Sequence, residues 1–115
     1  MRNFTVMYKD EAVARVEYSG GSPLIKKYTS LPAKQPFIGN YEPKRMVYDF
    51  LKSRCFDNGR ADLGKILLAA GLSSNDPYEW CIKTHGVTYD DMFWIKYDGE
   101  VLTWTDMNPR GTLPL

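Results

Sequence analysis

The stretch Phe4-Thr5-Val6-Met7-Tyr8-Lys9-Asp10-Glu11-Ala12-Val13-Ala14-Arg15-Val16-Glu17-Tyr18 decides half of the fold. Phe4, Val6 and Tyr8 alternate with Thr5, Met7 and Lys9, the two-residue period of a strand with one buried face. After Asp10-Glu11 the alternation resumes at Ala12, Ala14, Val16 and Tyr18, which predicts an antiparallel hairpin. Gly20-Gly21-Ser22-Pro23 interrupts it, and Leu24 to Ser30 reads as a short third strand.

Downstream the period changes. Residues 31–42, with Pro32, Pro36, Gly39 and Asn40, form an irregular connector inside one domain. Pro43 suits the first position of a helix, where its missing N–H costs nothing, and Met46, Val47, Phe50 and Leu51 follow on one face. Asp57 or Asn58 is placed to cap a second helix carrying Leu63, Ile66, Leu67 and Ala70, which Gly71 ends. Asp76-Pro77-Tyr78-Glu79 has the pattern of a capping box, opening a third helix through Cys81 and Ile82 that stops near Gly86. Asp98-Gly99 between apolar stretches predicts a closing hairpin, with Ile95 opposite Leu102 and Phe93 opposite Trp104. The expectation is an α+β domain spanning 1–115. It has a small antiparallel sheet (strands within 3–30 and a hairpin at 92–105), three packed helices within 43–86 and a short tail at 106–115.

Composition agrees with that. The chain has 115 residues, 43 % hydrophobic and 25 % charged, which is the size and make-up of one globular domain. No apolar run approaches the ~20 residues that span a bilayer, and no export signal is legible, so a cytoplasmic setting without membrane contact is expected. Cys55 and Cys81 have no short-spacing partner and match neither a disulfide framework nor a zinc cluster. Net charge is +1 but unevenly spread. Residues 26–65 carry nine Lys/Arg against four Asp/Glu, and residues 66–115 carry three against seven. Such a dipole suits docking to an acidic partner through the basic middle, with Lys44, Arg45, Lys52, Arg54, Arg60 and Lys65 as candidate contacts. The alternative for the same residues is a weak, salt-sensitive nucleic-acid contact.

Motifs for catalysis are thin. Gly59-Arg60-Ala61-Asp62-Leu63-Gly64-Lys65 has phosphate-loop spacing, but Ile66 stands where a Ser/Thr should meet magnesium and no buried strand precedes it. Gly64 inside a helix suggests close helix packing. Leu67 to Ser73 resembles the turn of a helix-turn-helix, yet the following helix offers Asp76, Tyr78, Glu79 and Trp80, the wrong charge for phosphates. His85 is the only histidine and stands at a helix end, which favours capping over catalysis. Asp90-Asp91 reads as a turn cap rather than a metal pair. No nucleophile with a partnered base assembles, and the expectation is a protein that is not an enzyme and uses no cofactor or metal. The three tryptophans and eight tyrosines supply interface anchors wherever they are exposed.

Two stretches carry a resemblance: Lys83-Thr84-His85-Gly86-Val87-Thr88-Tyr89-Asp90-Asp91-Met92-Phe93-Trp94-Ile95-Lys96 and Leu102-Thr103-Trp104-Thr105-Asp106-Met107-Asn108. With Phe50-Leu51-Lys52-Ser53-Arg54, Gly59-Arg60-Ala61-Asp62-Leu63 and the opening strands, they resemble the N-terminal subdomain of HipA-like serine/threonine kinases. In that family the subdomain frames the kinase and helps contact an antitoxin partner. The similar region ends before the family's ATP-binding and catalytic segments, so no catalytic position carries over. The resemblance implies a non-catalytic interaction module, an inhibitor or antitoxin-like partner of a bacterial enzyme. A mobile-element inhibitor of a host defence nuclease, anti-CRISPR-like and blocking by shape, is the neighbouring alternative.

Overall fold

The computed structural model describes residues 2–39, 41–55, 61–72, 74–88 and 91–107. Strands β1 (Phe4–Tyr8), β2 (Glu11–Ser19) and β3 (Ser22–Lys27) are followed by helices α1 (Pro43–Ser53), α2 (Leu63–Ala69) and α3 (Pro77–Thr84). Strand β4 (Phe93–Tyr97) and the single turn α4 (Trp104–Met107) are the last of the described elements. The four strands form one antiparallel sheet in the order β3-β2-β1-β4, so the fold is α+β.

The inner face of the sheet is built from the alternation of the opening strands. Phe4, Val6, Val16, Ile95 and Tyr97 bury against Met46, Val47, Phe50 and Leu51 of α1 and against Trp80 and Cys81 of α3. One departure from strict alternation is informative. Val6 faces Ala14 but Met7 faces Ala12, so Val13 is the extra residue of a bulge. The bulge turns Val13 and Ala14 both into the core, and Ala12 is exposed.

The helix boundaries follow their local signals. Pro43 opens α1, and the Asp76 carboxylate accepts the Tyr78 N–H at 2.9 Å to cap α3 behind Pro77. No return bond from Glu79 closes the capping box among the described residues. Gly71, at φ +77°, ends the α2 segment, whose N-cap is Asp62; the expected caps Asp57 and Asn58 lie outside the described residues. A Cβ on Gly64 would meet nothing within 4 Å, so close helix packing does not account for that glycine.

Arg54 locks this arrangement. Its side chain is 5 % exposed and lies under the loop that joins α3 to β4. Nε donates to the Gly86 carbonyl at 2.8 Å, and the two terminal nitrogens meet the Asp91 carboxylate at 2.9 and 2.6 Å. The indole N–H of Trp80 donates to the Arg54 carbonyl at 3.0 Å. Gly86, at φ +66°, is required here, because a Cβ would lie 3.0 Å from Ile95 Cδ1 and 3.3 Å from Arg54 Cγ.

The closing hairpin is corrected. Its first strand forms as β4, but no second strand pairs with it. On the edge of β4 away from β1, the Ile95 N–H is accepted by the His85 carbonyl at 2.7 Å. The Tyr97 N–H is accepted by Glu100 Oε1 at 2.7 Å. The ladder positions a returning strand would use are therefore occupied. Leu102 and Trp104 instead cross to the opposite face of the sheet, joining Met7, Val87, Trp94 and Met107 in a second small core. Trp104 N–H donates to Asp10 Oδ1 at 2.9 Å, and the Asp106 carboxylate accepts the Thr103 N–H at 2.8 Å to start α4.

Candidate interaction surface

The six basic residues singled out in the sequence separate into three groups. Lys44, Arg45 and Lys52 lie exposed on the outer face of α1, opposite its buried Met46, Val47, Phe50 and Leu51. Arg45 is within 3.6 Å of Asp49 one turn on, a surface pair worth little, while Lys44 and Lys52 make no ion pair among the described residues. Lys65 is exposed on α2. Arg60 lies outside the described residues. Arg54 is withdrawn as a partner contact, because its guanidinium faces inward and is consumed by Gly86 and Asp91. Nothing local in the sequence distinguishes Arg54 from Lys52; the difference comes from Asp91, 37 positions later.

A second feature was not legible as a site. At the end of β3 the connector folds back beside the strand and leaves a groove of about 400 Å³, lined by Lys27, Tyr28, Pro32, Gln35, Phe37 and Ile38. The connector is held by Gln35, 7 % exposed. Its amide NH₂ donates to the carbonyls of Thr29 at 2.7 Å and Val13 at 3.3 Å, and its Oε1 accepts the Phe37 N–H at 3.2 Å. Phe37 then drops into the core, edge-on to Phe50 at 5.3 Å between ring centroids. With the backbone fixed in this way, its neighbours turn out: Tyr28 is 52 %, Leu31 57 % and Ile38 64 % exposed. Tyr41, also exposed, lies against Gly39 and carries the apolar patch to the first turn of α1, where Lys44 and Arg45 begin the basic face. The available signal was the presence of large apolar residues in a proline-punctuated segment with no period to bury them.

The edge of β3 borders the same groove. Ser19 and Ser22 close the β2–β3 turn, and Tyr28 N–H donates to the Val13 carbonyl, so even-numbered residues face β2. The N–H groups of Ile25 and Lys27 point away from it and find no hydrogen-bond partner among the described residues. Pro23, which has no N–H to offer, takes the first outward position.

The reactive side chains are quiet. Burial pushes the Cys55 thiol up to about 11 and raises Cys81 further, which disfavours the thiolates at neutral pH. His85, in the left-handed region at φ 59°, caps α3, and its Nε2 lies 2.7 Å from Glu100 Oε2. Asp91 caps the turn before β4 through the Phe93 N–H at 3.0 Å; Asp90 lies outside the described residues. No group of three or more His, Cys, Asp or Glu side chains placed to hold a metal occurs among the described residues. No described helix is long and apolar enough to cross a membrane. No protein family, no curated protein and no solved structure matches the chain.

Proposed function

We propose that this protein is a non-catalytic interaction module that docks an extended, acidic segment of a partner protein, as an inhibitor or antitoxin-like partner of a bacterial enzyme. The carrying observation is three features: the open β3 edge, the apolar groove at Tyr28 and Ile38 with the exposed Leu31 in the same connector, and the basic face of Lys44, Arg45 and Lys52. Strand addition would satisfy the outward N–H groups, apolar side chains would enter the groove, and acidic ones would meet Lys27, Lys44 and Lys52, which make no ion pair among the described residues. The resemblance to HipA-like N-terminal subdomains supplies the class of partner, an enzyme of a bacterial host or its mobile elements. The inhibitor of a defence nuclease is the same reading with a different target.

The test is site-specific photocrosslinking in cells of the source bacterium, with the crosslinker at Ile38 or at Val101, which is 92 % exposed outside this surface. The expected result is one stoichiometric protein adduct from Ile38 and none from Val101, lost on Lys44→Glu with Lys52→Glu. The same adduct from both positions, or recovery of nucleic acid alone, contradicts the proposal; the second outcome would favour the nucleic-acid reading.

A further inference from the structure

Away from the groove, the inner face of the sheet opens beside α3 into a cavity of about 230 Å³. Its apolar walls are the buried Phe4 and Leu51 and the exposed Ile82. Three tyrosines, Tyr18, Tyr78 and Tyr97, also line it, and none of their hydroxyls makes a hydrogen bond within the chain among the described residues. Tyr97 is the telling one. It is only 5 % exposed and its ring is fixed edge-on to Phe4 at 5.8 Å, while its hydroxyl is not sealed from solvent. Burial raises Tyr97 and takes Tyr18 up to about 12, so both remain O–H groups, able to donate, at neutral pH. Arg2 stands over the Tyr97 ring, its guanidinium carbon 4.6 Å from the centroid, which places a cation at the mouth.

We infer that this cavity is a binding site for a small apolar carboxylate, with one ring or branched chain against Phe4, Leu51 and Ile82 and the carboxylate between Arg2 and the tyrosine hydroxyls. The volume lies below the ~300–1,000 Å³ of sites for larger ligands and suits a single ring. Glu79, exposed on the rim, is the one opposing charge lining the cavity. A ligand carrying an amine as well would use it, and a simple anion is repelled by it. This inference is independent of the docking surface, and its failure leaves that reading untouched.

The experiment is a ¹H–¹⁵N NMR titration of the full chain with phenylacetate. Saturable shifts at Tyr18, Tyr78 and Tyr97 are expected with a Kd at or below about 1 mM. Phenylacetamide, of the same shape without the charge, is expected to bind at least about tenfold more weakly, as is phenylacetate to Arg2→Gln. Tyr97→Phe is expected to weaken binding while leaving the thermal midpoint unchanged or higher, since the lost hydroxyl has no hydrogen-bond partner among the described residues. Glu79→Gln is expected to tighten it. Shifts that do not saturate, equal binding of the amide, wild-type affinity in Tyr97→Phe, or weaker binding in Glu79→Gln would each overturn the inference.

Discussion

At the β4 edge of the sheet, the Ile95 N–H meets the His85 carbonyl and the Tyr97 N–H meets the Glu100 carboxylate, both at 2.7 Å. At the β3 edge, the corresponding groups of Ile25 and Lys27 have no partner among the described residues, and the chain has placed a proline, lysines and a groove beside them. Edges are commonly blunted by charge or covered against wrong pairing. Here one edge is covered by the chain's own backbone and one carboxylate, and the other carries only Pro23, Lys26 and Lys27. The contrast locates the surface available for a partner at the β3 side. It also divides the basic residues: Arg54 is buried against the loop that leads into β4, and Lys44, Arg45 and Lys52 are exposed on the outer face of α1.

The largest effect should come from breaking the covered side at its anchor. Arg54→Ala takes the guanidinium from Asp91 and the Gly86 carbonyl, and the expected loss is about 3–5 kcal/mol in a denaturant titration. Lys52→Ala, two residues away and on the open side, is expected to change stability by less than about 0.5 kcal/mol. Equal effects at the two positions would show that the inward and outward assignments are wrong.

Uncovering the β4 edge directly should cost less. Glu100→Ala frees the Tyr97 N–H and removes the His85 contact, with an expected loss of about 1–3 kcal/mol. The same variant is expected to self-associate in sedimentation experiments as an exposed edge finds another copy. A monomer of unchanged stability would mean that the carboxylate does not hold this edge.

Much of this contrast could be read in the chain before its structure, and part could not. The opening strands were legible because Phe4, Val6, Val16 and Tyr18 report a burial period that needs no distant information. Pro43, Asp76-Pro77 and Gly71 act within one turn of helix and were legible for the same reason. The second strand of the closing hairpin failed where two local signals competed. Asp98-Gly99 with alternating apolar residues favoured a hairpin, while Thr103-Trp104-Thr105-Asp106 is also a helix-start pattern. The decision lay in His85, ten residues before Ile95 in sequence, whose carbonyl already filled the ladder. The inward turn of Arg54 depends likewise on Asp91. In the candidate surface, Lys44, Arg45 and Lys52 were legible as charges, but the groove was not, because Gln35 builds it with bonds to Val13 and Thr29 that no local pattern announces.

On the open side, stability and binding should separate. Ile38→Ala and Leu31→Ala remove exposed side chains, so each is expected to leave folding within about 0.5 kcal/mol while costing more than about 1 kcal/mol of affinity for the crosslinked partner. Measured by calorimetry with that partner, a loss in folding alone would place these residues in the core rather than at an interface.

The smallest effect concerns the outer face of the sheet, where the hydrogen bond from the Arg15 guanidinium holds the Asp98 carboxyl below its ordinary range. A depressed folded-state value means that the contribution is present at neutral pH, above the unfolded value of 3.8, and is lost as pH falls through the lower folded one. Asp98 is largely exposed, so Asp98→Asn at pH 7 is expected to cost less than about 1 kcal/mol, and less still at high salt. The difference from wild type should vanish at the acid end of a pH–stability curve. A difference that grows on acidification would assign the effect elsewhere.

The most direct test of the central claim is native-state amide exchange by NMR on the free chain, residue by residue along both edges. The Ile95 and Tyr97 amides are expected to be strongly protected and the Ile25 and Lys27 amides to exchange near the unprotected rate, becoming protected when the crosslinked partner is added. Protection of Ile25 and Lys27 in the free chain equal to that of Ile95, or no change on adding partner, would contradict the account.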